Sequence, residues 1–114
     1  MRKFICRVQR KLFRGMQEGD INYNELMQKK KQGAIILDVR SEQEFRENHI
    51  DGAISISQYE INSKVQNIIP DKNQEIVVYC TSGIRSRKVY ENLKKLGYKK
   101  IYNLYLGLDN IIIN

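Results

Sequence analysis

A chain of 114 residues, 41% of them hydrophobic, with one proline and seven glycines, supports one domain with one core and excludes a disordered or low-complexity polymer. The net charge of +7 does not point to nucleic acid, because no stripe of lysine and arginine interleaved with aromatic residues accompanies it. No run approaches the ~18 apolar residues of a membrane span, and the first residues hold no apolar leader core. The expected compartment is therefore reducing cytoplasm, where a cysteine is more often catalytic or inert than disulfide-bonded.

Residues 1–20 hold six of the twenty lysines and arginines against two acids; the other 94 residues carry 14 basic and 11 acidic residues, a net of +3. Phe4, Val8 and Leu12 recur at helical spacing, with Ile5 and Met16 close to the same stripe, so this extension reads as a basic amphipathic helix. An extension packed on the domain, or one partly disordered, is the preferred reading; contact with a membrane surface or a partner is the second. Cys6 reads as an incidental thiol, and a disulfide to Cys80 is not expected. The domain proper is expected over residues 21–114.

Ile21 and Tyr23 suggest a very short strand. A helix capped by Asn22 or Asn24 then runs to about Lys31, with Gly33 as its left-handed stop. Ala34–Val39 is a continuous apolar run, the pattern of a strand covered on both faces in a parallel sheet. Ser41-Glu42-Gln43-Glu44 is a capping box opening a short helix through about Glu47, with Phe45 facing inward. His49–Gly52 is a turn, where the single histidine needs only a local hydrogen bond, and Ala53–Ile56 is a short strand. Residues 58–69 read as a helix with Ile61, Val65, Ile68 and Ile69 on its inner face, ended by the loop Pro70–Asn73. Ile76–Tyr79 is a buried strand that runs into Cys80 and a polar turn. A helix from Arg87 to Leu96 follows, with Val89, Leu93 and Leu96 inside and Gly97 closing it. Lys100–Leu104 is the last strand, Gly107-Leu108-Asp109 a turn, and Ile111–Ile113 an apolar tail.

This order predicts an α/β fold with a short four- or five-stranded, mainly parallel sheet. Right-handed crossovers put helices on both of its faces. Ligands of such sheets bind outside the carboxyl ends of the strands, which is where Cys80 and Asp38-Val39-Arg40 fall. A thiol there faces the backbone amides of the following turn and the positive end of the next helix, and both favour a thiolate.

Several stretches together resemble the single-domain rhodanese family, in the family's order and spacing. They are Leu37-Asp38-Val39-Arg40, Glu44-Phe45, His49-Ile50-Asp51-Gly52-Ala53, Tyr79 through Ser86, Leu96-Gly97-Tyr98, and Tyr102-Asn103-Leu104 followed by Gly107. They cover about residues 21–109. Three departures stand out: Asn48 where the family often has glycine, Leu106-Gly107 for a Gly-Gly pair, and no tryptophan shortly afterwards. The resemblance implies a rhodanese-like fold and a sulfurtransferase in which Cys80 forms a persulfide, needing no metal or organic cofactor. It implies that Thr81, Ser82, Gly83, Ile84 and Arg85 bind the substrate, and that Asp38 and Arg40 are structural residues near the site. The implied partners are a small sulfur donor such as thiosulfate or a persulfide, a thiol or cyanide-like acceptor, and a sulfur-relay protein. The main enzymatic rival is a cysteine phosphatase, whose Cys-x5-Arg loop is one residue longer than the Cys80–Arg85 spacing here. A persulfide carrier and a non-catalytic docking module share the fold and complete the set of rival readings.

Overall fold

The structure is a computed structural model and describes residues 15–113. Its elements are β1 (Asp20–Ile21), α1 (Tyr23–Lys31), β2 (Ile35–Asp38), α2 (Glu42–Glu47), β3 (Ile54–Ser55), α3 (Ile61–Ile68), β4 (Ile76–Tyr79), α4 (Ile84–Lys95), β5 (Ile101–Leu104) and α5 (Gly107–Ile113). All five strands are parallel, in the order β1-β5-β4-β2-β3. Among the described residues no helix is long and apolar enough to cross a membrane.

The apolar runs are continuous because both faces of the sheet are covered. On one face Leu37, Ile76 and Val78 pack with Ile61 and Val65 of α3 and Val89 and Leu93 of α4. On the other, Ile36, Val77 and Tyr79 pack with Leu26 of α1 and Leu108 of α5. Connections leave β2 toward β3 and leave β4 toward β5, so the direction of winding changes between the adjacent strands β2 and β4. A crevice opens at such a switch point, beyond the carboxyl ends of the strands, and Cys80 follows β4 directly.

Local signals explain most boundaries. Asn22, not Asn24, caps α1: its Oδ1 accepts from Glu25 N at 2.8 Å, and Glu25 Oε1 accepts from Asn22 N at 2.9 Å. Ser41 and Glu44 form the same reciprocal box on α2, and Gly33 and Gly97 take left-handed φ values of +100° and +99°. The helix expected over 1–20 lies largely outside the described residues, and residues 15–19 form turns that lead into β1. Asp20 already pairs in the sheet opposite Asn103. Phe45 is half-buried and stacks on His49 rather than entering the core.

Three helices differ from their expected extents. α3 begins at Ile61, and Ile68 is 44% exposed while Ile69 is 2% exposed. The chain leaves the helix at Ile69 (φ −128°, ψ 79°), which turns that side chain inward and leaves Ile68 on the outer surface. α4 begins three residues before Arg87, immediately after left-handed Gly83, and no side chain caps it. Gly107–Ile113, expected as a turn and a tail, is a helix. Its start has no sequence signal because backbone carbonyls of a distant turn take its first amide protons. An Ile61→Ala variant should lose about 2–5 kcal/mol in urea unfolding, and Ile68→Ala only about 0.5 kcal/mol. Equal losses would contradict the inward and outward assignments.

Candidate functional site

Residues 76, 78 and 80 share one face of the strand, so Cys80 directs its side chain toward α3 and α4, and the residue is 0% exposed. Its thiol is free. Two backbone amides reach the sulfur: Gly83 N–H at 3.0 Å and Ser86 N–H at 3.4 Å. Gly83 adopts φ +93°, which folds the turn back over the sulfur and begins α4. Ser86 is buried, and its hydroxyl donates to the Gly83 carbonyl at 3.3 Å. Sγ therefore sits at the amino end of a 12-residue helix, where the dipole is positive.

The carbonyls of the same turn point away from the sulfur. Cys80 O accepts from Leu108 N at 3.0 Å, and Thr81 O accepts from Asp109 N at 2.9 Å. α5 thus docks its first turn on the backbone that carries the thiol. The contact is close enough to require glycine at 107: a Cβ there would lie 2.3 Å from Cys80 O, and φ is +60°. Leu106 just before it is also left-handed, at φ 63°, a conformation that costs a non-glycine residue about 1–2 kcal/mol. A Cβ on Gly83 would meet the Leu106 nitrogen at 3.1 Å, so the two loops touch along their backbones.

Arg85 holds the turn from outside. Its Nη1 and Nη2 donate to Glu44 Oε1 and Oε2 at 2.8 and 3.0 Å, and Nη2 lies 3.3 Å from Thr81 Oγ1. Ser41 N also donates to Glu44 Oε1, at 3.1 Å. The capping box therefore aims the carboxylate at Arg85. The Arg85 hydrogen bond holds the Glu44 pKa down at about 2, from an ordinary value of 4.5. Ser82 and Ile84 form the exposed crest of the turn, with Ile84 69% exposed.

Asp38 and Arg40 form a buried ion pair at 2.7 Å. Arg40 also donates to the Asn48 carbonyl and, at 3.4 Å, to Asn48 Oδ1, so the pair ties the end of β2 to the turn at 48–52. His49 is exposed; its Nδ1 lies 2.7 Å from the Phe45 carbonyl and its ring stacks on Phe45. Tyr79 accepts from Ile50 N at 3.0 Å, and burial pushes its phenol pKa upward. Among the described residues no group of three or more His, Cys, Asp or Glu could hold a metal ion.

Two clefts flank the crest. One, of about 470 Å³, runs between the turn, α4 and the end of β5, and its lining includes Ser82, Gly83, Ile84, Lys88, Asn103 and Leu106. The other, of about 280 Å³, lies beside Arg85 and is lined by Ser41, Glu42, Gln58 and Glu60 among others.

The Rhodanese-like domain family model matches residues 22–113. The chain belongs to the rhodanese-like domain family. It is 34% identical over 67 residues to the thiosulfate sulfurtransferase PspE of Escherichia coli, a match that covers 59% of this chain and 64% of PspE, just under two thirds of that relative. It is 32% identical over 80 residues to the thiosulfate sulfurtransferase GlpE of Coxiella burnetii, covering 70% of this chain and 73% of GlpE. A crystal structure of a rhodanese-related protein from Thermoplasma volcanium superposes with a TM-score of 0.72 at 28% identity, covering 82% of this chain and 90% of that one.

Within this rhodanese-like domain Cys80 and Thr81 to Arg85 form one turn, while Asp38 and Arg40 pair with each other at the end of β2 and tie it to Asn48. Of the amides expected on the sulfur, Gly83 is there, and the second comes from Ser86, one residue beyond the predicted stretch. Sequence reasoning misses the Glu44 clamp and the α5 dock. Arg85 and Glu44 are 41 positions apart, and no linear pattern joins them. The capping box is the only hint, since it fixes where that carboxylate points.

Two outcomes follow from this geometry. Gly107→Ala should destabilise the domain by at least about 2 kcal/mol in chemical unfolding, because the contacting atom is backbone and cannot move aside; a near-neutral effect would contradict the dock. Folding lowers the Glu44 pKa, so the clamp contributes fully above pH 4.5 and is lost as pH falls toward about 2. The stability gap between the natural chain and Glu44→Gln should accordingly be widest near pH 6 and close by about pH 2 in parallel unfolding curves.

Proposed function

We propose that the domain is a sulfurtransferase that carries sulfur on Cys80. The observation behind this reading is the paired amides on Sγ, Gly83 and Ser86 at 3.0 and 3.4 Å, in a turn whose carbonyls are held elsewhere by α5. Such a turn compensates negative charge on sulfur without a metal. With thiosulfate, the Cys80 thiolate attacks the outer sulfur, the S–S bond of the donor breaks, and sulfite leaves with the electron pair. Cys80 is left as a persulfide anion. An acceptor thiolate or cyanide then attacks the outer sulfur of the persulfide, and Cys80 departs as thiolate.

The other residues have supporting roles in this reading. The Gly83 and Ser86 amides compensate the charged sulfur, the turn from Thr81 to Arg85 carries the donor past them, and the Ser82 hydroxyl and Ile84 side chain form the entrance. Arg85 acts mainly by fixing the turn through Glu44 and Thr81. Asp38 and Arg40 hold the neighbouring strand end. A free thiol working this way suits a reducing compartment such as cytoplasm, and a relay protein could supply or take the sulfur in place of a small molecule.

The reading is tested by mass. Incubation with thiosulfate and removal of excess donor should add about 32 Da to the intact chain, one sulfur, in a form discharged by a reducing thiol. Cys80→Ser should gain nothing. A natural chain that never takes up sulfur, or a Cys80→Ser variant that does, overturns the proposal.

A further inference from the structure

The charges around the Cys80 turn are unevenly committed. On the side of the smaller cleft the cations are matched by carboxylates: Arg85 is held by Glu44, Arg46 by Glu42, and Lys64 by Glu60. On the side of the larger cleft Arg87 is shared between Asp20 and Glu91, at 3.2 Å each. Lys88 is exposed and has no hydrogen-bonding or ion-pair partner among the described residues.

The larger cleft has two further properties. It adjoins the sulfur through Gly83, which lines the cleft and whose N–H lies 3.0 Å from Sγ. Its floor has unfinished hydrogen bonding. Asn103 is 2% exposed; its Nδ2 donates to Asp20 Oδ1 at 2.9 Å, but its Oδ1 is unpartnered, as is the neighbouring Arg87 Nε. Buried polar atoms of this kind are normally completed by water or by a ligand. Above that floor the walls are largely apolar, with Ile84 and Leu106 among the lining of a space of about 470 Å³, room for a small organic molecule.

We propose that this cleft receives the sulfur acceptor, a small organic thiol bearing a carboxylate, with the carboxylate at Lys88 and the thiol directed over the crest at the Cys80 persulfide. The inference rests on the sulfurtransferase reading and names the acceptor class and Lys88 as its specificity-determining residue. The persulfide anion first takes a proton from water. The acceptor thiolate then bonds to the outer sulfur, the Cys80 S–S bond breaks, and the products are an acceptor persulfide and the Cys80 thiolate. No oxidant or reductant is consumed.

The test uses the full chain, loaded with sulfur from thiosulfate and freed of excess donor. It is then mixed with 3-mercaptopropionate or with uncharged 2-mercaptoethanol, and loss of the added mass is followed in time. Lys88→Glu should lower the ratio of the two transfer rates, carboxylate over neutral, roughly fivefold at low salt. The difference should shrink at high salt. Lys99→Glu, the same charge change beyond the opposite end of the sheet, should leave the ratio at its natural value. A ratio unmoved by Lys88→Glu, or moved equally by Lys99→Glu, overturns the cleft assignment while leaving the persulfide chemistry standing. Failure of the natural chain to load sulfur overturns the sulfurtransferase reading and this inference together.

Discussion

The docking of α5 on the turn after β4 is the constraint on which the site depends. A peptide group presents its C=O and N–H in opposite directions, so a loop can offer amides to one side only if its carbonyls are satisfied on another. Leu108 and Asp109 supply that second side. The geometry at the sulfur is thus decided 28 residues downstream of it, by Leu108 on Cys80, and its cost appears in left-handed Leu106 and in the crowding that admits only glycine at 107. Strain of this sort persists where surrounding structure over-determines it.

Electrostatics then divide the labour. Arg85, the most conspicuous cation beside the thiol, is engaged at both guanidinium nitrogens that face Glu44. A bidentate pair of this geometry fixes position as well as charge, so Arg85 behaves as part of the framework. Free positive charge is found one helical turn further on. The same division holds at β2, where Arg40 spends its hydrogen bonds on Asp38 and Asn48. Asn48 offers both its carbonyl and its side-chain oxygen there, a contact that a glycine could make only in half.

The parts of the fold that sequence reveals are those set by local chemistry. The strands 35–38 and 76–79 show as apolar runs because both faces are covered, and Asn22 and Ser41 show as caps because their partners lie three residues away. The parts that stay hidden are fixed over distance. α4 and α5 start without side-chain caps, α4 behind a left-handed glycine and α5 against remote carbonyls, so a reading from propensity places one start late and misses the other helix. Ile68 and Ile69 illustrate the limit of periodicity: both fit the helical stripe, and only the exit of the chain at Ile69 decides which is buried. The thiol itself is legible, since a cysteine ending a buried strand before a polar turn has few structural explanations. Its second amide donor, Ser86, is not, because propensity starts α4 beyond it.

Both ends of the described chain converge on the thiol's end of the sheet. Gly15 and Gln17 line the larger cleft, and α5 rests on the Cys80 backbone. A substitution at Gly15, at Gln17 or in the first turn of α5 therefore acts at the sulfur's end of the sheet, although all three lie far from Cys80 in sequence. For the experimentalist this makes the entry and exit segments of the domain part of the surroundings of the thiol rather than neutral ground.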